Sequence, residues 1–283
     1  MRLTYYGTAA AEGFPAIFCN CDACNRARAA GGRNIRTRSQ AMLDGRLLID
    51  FCPDTAAHVA LYGLDLRDVT DCLITHGHTD HLFPDDMSYR RPCYAHFGDN
   101  GSKDDDIPVM NVWGSAASLL RATDYNAFHE DNLKKIYRFR TIRPFETVRI
   151  SGYDVTPLPA NHAPGLDAYI YIISDGEKTL LYAHDTGLFT DETDRWLKEN
   201  RPRFDFVSLD CTCALEEHGG RHMCYTEDIV QRDRLREIGC ADGNTVFCLN
   251  HFSHNGMATY DEMKVTAGKE GFLVSYDTMS VEI

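Results

Sequence analysis

A chain of 283 residues with 43% hydrophobic and 25% charged side chains has ordinary globular composition and enough length for a sizeable core. Its net charge of −13 argues against general charge-driven binding to nucleic acid or anionic membranes, but not against a small anion held by local metals. No stretch reaches the length of a membrane span, the N-terminal residues show no signal-peptide core, and eleven cysteines suggest reduced thiols and metal ligation in a cytoplasmic protein.

In chain order, Leu3–Tyr6 reads as a first strand, followed by a tight glycine-bearing turn from Gly7 to Pro15 and then Cys19–Cys24. An Arg- and Ala-rich helix or loop runs up to Gly31-Gly32. Gln40–Leu43 and Leu47–Asp50 flank Asp44-Gly45, a dipeptide favoured in two-residue hairpin turns. Ala56–Tyr62 is helical in pattern, with Gly63 placed to stop it. Cys72–Thr75 reads as a buried strand. Residues 83–107 lose periodicity and collect Pro, Gly, Asn and Asp, including Asp104-Asp105-Asp106, as a lid or insertion does. Further strands are expected at Val109–Trp113, Ile136–Arg140, Val148–Ile150, Tyr153–Leu158, Ala168–Ser174, Thr179–Ala183, Phe204–Leu209, Thr245–Asn250 and Phe272–Ser275. Helices are expected at Ala116–Arg121, Asp191–Asn200, Glu227–Ile238 and Tyr260–Ala267. Strands in blocks with helices between and after them, and no linker or repeat, predict one α/β (α+β) domain over 1–283, built from two face-to-face sheets with helices outside.

The densest chemistry is His76-Gly77-His78-Thr79-Asp80-His81. Three imidazoles and a carboxylate stand within six residues. Positions 76, 78 and 80 fit a strand period, 81 breaks it, and no helical face holds all four, so the segment reads as a loop wrapped around more than one metal ion. His162, Asp185 and His251 each follow an apolar strand, as ligands converging on one rim of a sandwich do.

These residues resemble the metallo-β-lactamase superfamily, whose HxHxDH signature stands here as His76, His78, Asp80 and His81. The resemblance covers almost the whole chain and implies a four-layer αββα sandwich with a dinuclear site at one edge. It implies that His76, His78 and His162 hold one metal, Asp80, His81 and His251 the other, and that Asp185 bridges them. Imidazole and carboxylate ligands suit zinc, manganese or iron, so the two catalytic divalent metals are not specified further.

Cys19-x-Cys21-x-x-Cys24 packs three thiols into six residues and suits a closed zinc site that lacks one ligand. The arrangement is similar to that of the PhnP phosphodiesterases, which pair such a triad with a histidine where His254 stands. That likeness implies a structural zinc on Cys19, Cys21, Cys24 and His254. His222 and the thiols of Cys211, Cys213 and Cys224 are rivals for the fourth place. His222 also falls where that family and the related tRNA-processing nucleases have an active-site histidine, which implies a role in binding the phosphoryl oxygen or protonating the leaving group. Histidines 58, 96, 129, 184 and 218 carry no motif, and Arg90-Arg91 suits a solvated charge pair.

The implied function is a metal-dependent hydrolase, a phosphodiesterase in which metal-activated hydroxide attacks a small phosphodiester, cyclic sugar phosphates included, and Asp80 and His222 belong to the catalytic machinery. A tRNA 3′-processing nuclease is opposed by the acidic charge and the lack of a basic arm. A glyoxalase-type thioesterase leaves the cysteine triad unexplained, a secreted β-lactamase needs an export signal, and a diiron oxygen reductase normally places a carboxylate where His78 stands. A non-catalytic zinc-stabilised scaffold is opposed by the fully occupied ligand pattern. Related enzymes often dimerise, and the sequence does not decide whether this chain is a homodimer.

Overall fold

A computed structural model of the protein describes residues 1–91, 94–97, 107–124, 131–217 and 220–283. The acidic run Asp104–Asp106 and the histidines at 129 and 218 lie outside the described residues. Strands β1 (Arg2–Gly7), β2 (Gln40–Leu43), β3 (Leu47–Ile49), β4 (Asp71–Leu73), β5 (Met110–Gly114) and β6 (Tyr137–Thr141) lie side by side in one sheet. The second sheet places β7 (Val148–Ile150), β8 (Tyr153–Pro159), β9 (Tyr169–Ser174), β10 (Thr179–Ala183), β11 (Phe206–Asp210), β12 (Val246–Asn250) and β13 (Leu273–Val274) in the same sequential order. Strand β14 (Ser280–Glu282) returns to the first sheet and pairs antiparallel with β1.

The period of two along β9 shows how the layers form. Tyr169, Tyr171 and Ile173 enter a core shared with Leu3, Tyr5, Leu47, Ile49 and Leu73 of the first sheet, whereas Ile170 and Ile172 face the helices. The helices are α1 (Asp22–Ala30), α2 (Thr55–Tyr62), α3 (Pro84–Met87), α4 (Ala116–Thr123), α5 (Asp131–Ile136), α6 (Asp191–Asn200), α7 (Tyr225–Glu237) and α8 (Tyr260–Ala267). Leu197 of α6, Leu235 of α7 and Met263 of α8 cover the outer face of the second sheet. Met87 of α3 and Leu119 and Ala122 of α4 pack on Cys72, Val112 and Leu48 of the first. The result is the four-layer αββα sandwich expected from the sequence. Among the described residues no helix is long and apolar enough to cross a membrane.

Strands β3 to β6 run parallel, and so do β10 to β13. The ligands follow the carboxyl ends of strands, the His76–His81 loop after β4, His162 after β8, Asp185 after β10 and His251 after β12, and so does Asp50 after β3. Carboxyl ends of parallel strands open onto a shared rim, and that rim carries the site.

Several expectations are corrected. Phe272–Ser275 shortens to β13 and is not the last strand, because β14 follows it. Helix α5 precedes β6 where only a strand was expected, and the 83–107 segment begins with α3 and a 3₁₀ turn at Ser88–Arg90 rather than as loop, Pro84 taking the first helical position. The Asp44-Gly45 turn has both residues at positive φ, 47° and 68°, but Leu43 pairs with Leu47, so Arg46 is a third loop residue.

Candidate metal centre

The histidine loop leaves β4 and is braced from α4. Arg121 donates to the Gly77 carbonyl at 2.6 Å and to Thr79 Oγ1 at 2.8 Å. Gly77 lies against α4 so closely that a Cβ there would stand 3.3 Å from Ser118 Cα. Leu82 N–H closes the turn on the His78 carbonyl at 2.8 Å.

Held this way, the expected ligands converge in two groups. Nitrogens of His76, His78 and His162 lie within 4.8 Å of one another, and so do donor atoms of Asp80, His81, Asp185 and His251. His76 Nε2 is 2.8 Å from His78 Nδ1, which is 3.2 Å from His162 Nε2. Asp185 joins the groups: its Oδ2 lies 3.4 Å from both His76 Nε2 and His251 Nε2 and 2.6 Å from His81 Nε2, and its Oδ1 lies 3.9 Å from His162 Nε2. All seven residues singled out for the two-metal pattern therefore share one site.

The residues that orient these ligands were not singled out from sequence. Asp50 Oδ2 is 2.7 Å from His81 Nδ1, while its carboxylate accepts Thr75 N–H at 2.8 Å. Thr212 Oγ1 is 2.8 Å from His251 Nδ1. Asp210, at the end of β11, accepts the backbone N–H of Asp185 at 2.9 Å and of Met223 at 3.1 Å. Fixing one ring nitrogen sets the tautomer and turns the other toward the cation. Asp50, Asp185 and His251 all adopt positive φ, at 63°, 53° and 65°, a costly backbone for non-glycine residues that clusters at functional sites. The strand-end position that marked Asp185 was the signal available for Asp50 and Asp210.

The electrostatics fit divalent cations. Burial pushes His76 and His162 below the ordinary imidazole range, leaving them neutral as ligands must be. Burial opposes charge at His81, yet Asp80, Asp50 and Asp185 outweigh it and raise that ring well above its usual range, a field that favours positive charge at this point. Among the described residues the Nε2 atom of His251 is buried with no hydrogen-bond partner, and His81 Nε2 has only the carboxylate oxygens of Asp185 and Asp80 beside it, at 2.6 and 3.2 Å. A buried nitrogen left unpaired costs about 1–3 kcal/mol, and a metal between the donors would satisfy it.

His222 stands at the rim. Its Nδ1 lies 3.3 Å from both Asp185 Oδ1 and Asp210 Oδ2. Burial works against the charged ring, but Asp210 and then Asp185 overcome it and hold the pKa at about 9. Its loop is seated by Asn161, whose Nδ2 donates to the Gly220 carbonyl at 3.1 Å, and by Gly187, whose Cα approaches that carbonyl with no room for a side chain.

The cysteine triad finds its fourth partner in His254. Cys19, Cys21, Cys24 and His254 place their donor atoms within 4.8 Å of one another, whereas His222 joins the other cluster. His254 Nδ1 is 3.4 Å from Cys19 Sγ and 3.5 Å from Cys21 Sγ. Backbone N–H groups of Cys21, Cys24 and Ala16 point at Cys19, Cys21 and Cys24 sulfurs at 3.3, 3.4 and 3.4 Å. Burial opposes a thiolate at Cys21, but the Cys24 N–H and His254 bring it down to about 6. Thiolates and an imidazole in this number suit zinc.

Residues left without a role stay outside the site. His184 is buried, with Nε2 2.7 Å from Ser208 Oγ and Nδ1 3.0 Å from Asn250 Nδ2. Arg90 donates to the Pro108 carbonyl at 2.9 Å and stacks over Phe97, and Arg91 stacks over Tyr94.

Solved structures share this architecture. A diphosphatase of the PhnP family matches with a TM-score of 0.73 at 19% identity, over 100% of this chain and 98% of its own. Zinc-bound PqqB from Methylobacterium extorquens matches with a TM-score of 0.70 at 18% identity over 100% of both chains. The short form of human tRNase Z matches with a TM-score of 0.61 at 14% identity, over 100% of this chain and 99% of its own. At these identities the likeness establishes the fold. No curated protein matches in sequence. The family model of the beta-lactamase superfamily domain matches residues 45–234, a span that includes the histidine loop, His162, Asp185 and His222. With that match, the two-layered donor set and the αββα sandwich, the chain belongs to the metallo-β-lactamase branch of the beta-lactamase superfamily.

Proposed function

We propose that the protein is a metal-dependent hydrolase of one domain, and specifically a phosphodiesterase for a small diester, a cyclic sugar phosphate being one such substrate. The observation that carries this reading is His222: an imidazole gripped by Asp210 at 3.3 Å beside the convergent donors, a group able to give a proton. An alkoxide leaving from phosphorus needs a proton, whereas the thiolate released by a thioesterase does not.

His76, His78 and His162 would hold one divalent cation, Asp80, His81 and His251 the other, with Asp185 touching both. Bound there, such cations supply charge neutralisation at phosphoryl oxygens and a lowered pKa for water. The chain's own residues do the rest. Asp50 and Thr212 fix the His81 and His251 rings by their Nδ1 atoms. Asp210 holds His222 by Nδ1, so the proton that goes to the departing oxygen comes from Nε2. A zinc on Cys19, Cys21, Cys24 and His254 would tie the N-terminal turn to the rim.

Among the described residues no Lys or Arg lines the rim cavity, which supports a small substrate over an RNA strand. All ten described cysteines are free thiols, which supports a reducing, cytoplasmic setting.

The test is hydrolysis of bis(p-nitrophenyl) phosphate and of an alkyl phosphodiester by metal-reconstituted protein, wild type beside His222→Ala. We expect turnover of both by the wild type. The variant should lose about 10²–10⁴-fold on the alkyl ester and far less on the nitrophenyl ester, whose phenolate leaves without a proton. Absence of turnover with zinc, manganese and iron would sink the proposal and turn attention to thioesters and lactones.

A further inference from the structure

The cavity at the rim has a volume of about 590 Å³ and runs past the histidine ligands to a second wall that includes Glu12, Ser253 and Asn255. Glu12 stands in the turn between β1 and α1. That turn is pinned to the segment after β12 by Ala10 N–H to the Phe252 carbonyl at 3.0 Å and Phe252 N–H to the Thr8 carbonyl at 2.9 Å. The Ser253 hydroxyl donates to Glu12 Oε1 and also accepts the Asn255 N–H at 3.1 Å. Glu12 Oε1 is 3.7 Å from His254 Nε2, beyond hydrogen-bond reach, and the side chain is 31% exposed. Its Oε2 has no hydrogen-bond partner among the described residues.

A carboxylate that lines the cavity and is held by one oxygen, with no Lys or Arg among the described lining residues, accepts hydrogen bonds and repels anions. Neighbouring Asn255 adds an amide that both donates and accepts. We infer that Glu12 is a specificity-determining residue of this site, one that accepts a hydroxyl from the alcohol portion of a phosphodiester and disfavours substrates carrying a second phosphate there. The substrate class is then a diester of an uncharged polyol or sugar, with the diester phosphate as its single anionic group. This inference rests on the phosphodiesterase reading and narrows it.

The test compares kcat/KM of the full metal-loaded protein for glycerol 1,2-cyclic phosphate and its 3-phosphorylated counterpart, in the wild type, Glu12→Gln and Glu12→Lys, with zinc content measured for each. We expect the wild type to prefer the unphosphorylated compound by about tenfold or more, since like charges a few ångströms apart repel strongly in a partly buried site. Glu12→Gln should bring the ratio toward one and Glu12→Lys should invert it, with zinc retained. A wild type that treats the two alike, a ratio unmoved in Glu12→Gln, or loss of zinc with both rates falling together would each overturn the inference, the last by assigning Glu12 a structural role. Wild-type turnover of bis(p-nitrophenyl) phosphate without hydrolysis of either glycerol compound would overturn the inference alone. No turnover of any diester would remove both readings.

Discussion

Asp50 Oδ2 sits 2.7 Å from His81 Nδ1, across 31 residues of chain, with both side chains fully buried. The carboxylate cannot turn away, because the Thr75 N–H and hydroxyl also donate to it, at 2.8 and 3.0 Å. One ring nitrogen of His81 is thereby fixed and the other is presented to Asp80 and Asp185. Asp50→Asn tolerates the positive φ of that position but weakens this grip on the ring. We expect metal affinity of the Asp80–His81–Asp185–His251 group to fall about 10–100-fold, measured by competition with a coloured chelator. Unchanged affinity would show that the pair serves packing only.

How much of this was legible beforehand follows from where the information lies. His76–His81 is a local pattern, so six consecutive residues announced it. The continuous apolar runs of β9 and β10 likewise announced strands buried on both faces. Asp50 and Asp210 carry no local pattern: each is a single acid whose meaning comes from a partner brought up by the fold, His81 for one and the Asp185 N–H for the other. Strand β14 is three residues with Ser280 and Glu282 exposed, and only its pairing with β1 makes it a strand. His254 was legible through the family resemblance rather than through spacing, since 230 residues of sequence separate it from Cys24.

Gly187 and Gly220 set the place of His222. A Cβ on Gly187 would lie 1.9 Å from the Gly220 carbonyl oxygen and 3.0 Å from Asn161 Nδ2, and backbone cannot yield as a flexible side-chain tip does. Gly187→Ala should therefore displace the loop that carries His222 without touching a metal donor. The expected outcome is a fall in kcat on an alkyl phosphodiester of tenfold or more, of the kind a misplacement of about 1 Å produces, with metal content at the wild-type level. Full activity in the variant would separate the loop position from catalysis.

His58 offers a test of stability against pH away from the metals. Its ring is buried, 2.7 Å from Thr37 Oγ1 and 2.6 Å from Gln40 Oε1, and burial lowers its pKa from 6.5 to about 4. The unfolded chain takes up the proton first as pH falls, so stability present above 6.5 is lost through the window down to about 4. The gap corresponds to about 3 kcal/mol. Urea unfolding of chelator-treated protein at pH 7 and pH 4.5 should show a larger loss for the wild type than for His58→Gln. Equal losses would mean that the ring titrates normally in the fold.

The N-terminal lobe around the cysteines has only a small apolar core of its own. Its core consists of Ala9, Phe14, Ala16, Ala23, Cys24 and Ala27, four of them alanines that bury little apolar surface, so packing contributes only a few kcal/mol there. A zinc on Cys19, Cys21, Cys24 and His254 would supply what the packing does not, and would join α1 to the turn after His251. Cys24→Ser, at a fully buried ligand position, should lower bound zinc by one equivalent and expose the segment from Ala16 to Gly31 to limited proteolysis, while the two sheets stay folded by circular dichroism. The active-site metals should be retained, since none of their donors lies in the lobe. Wild-type zinc stoichiometry, or a segment that stays protected, would show that the lobe is held by packing alone.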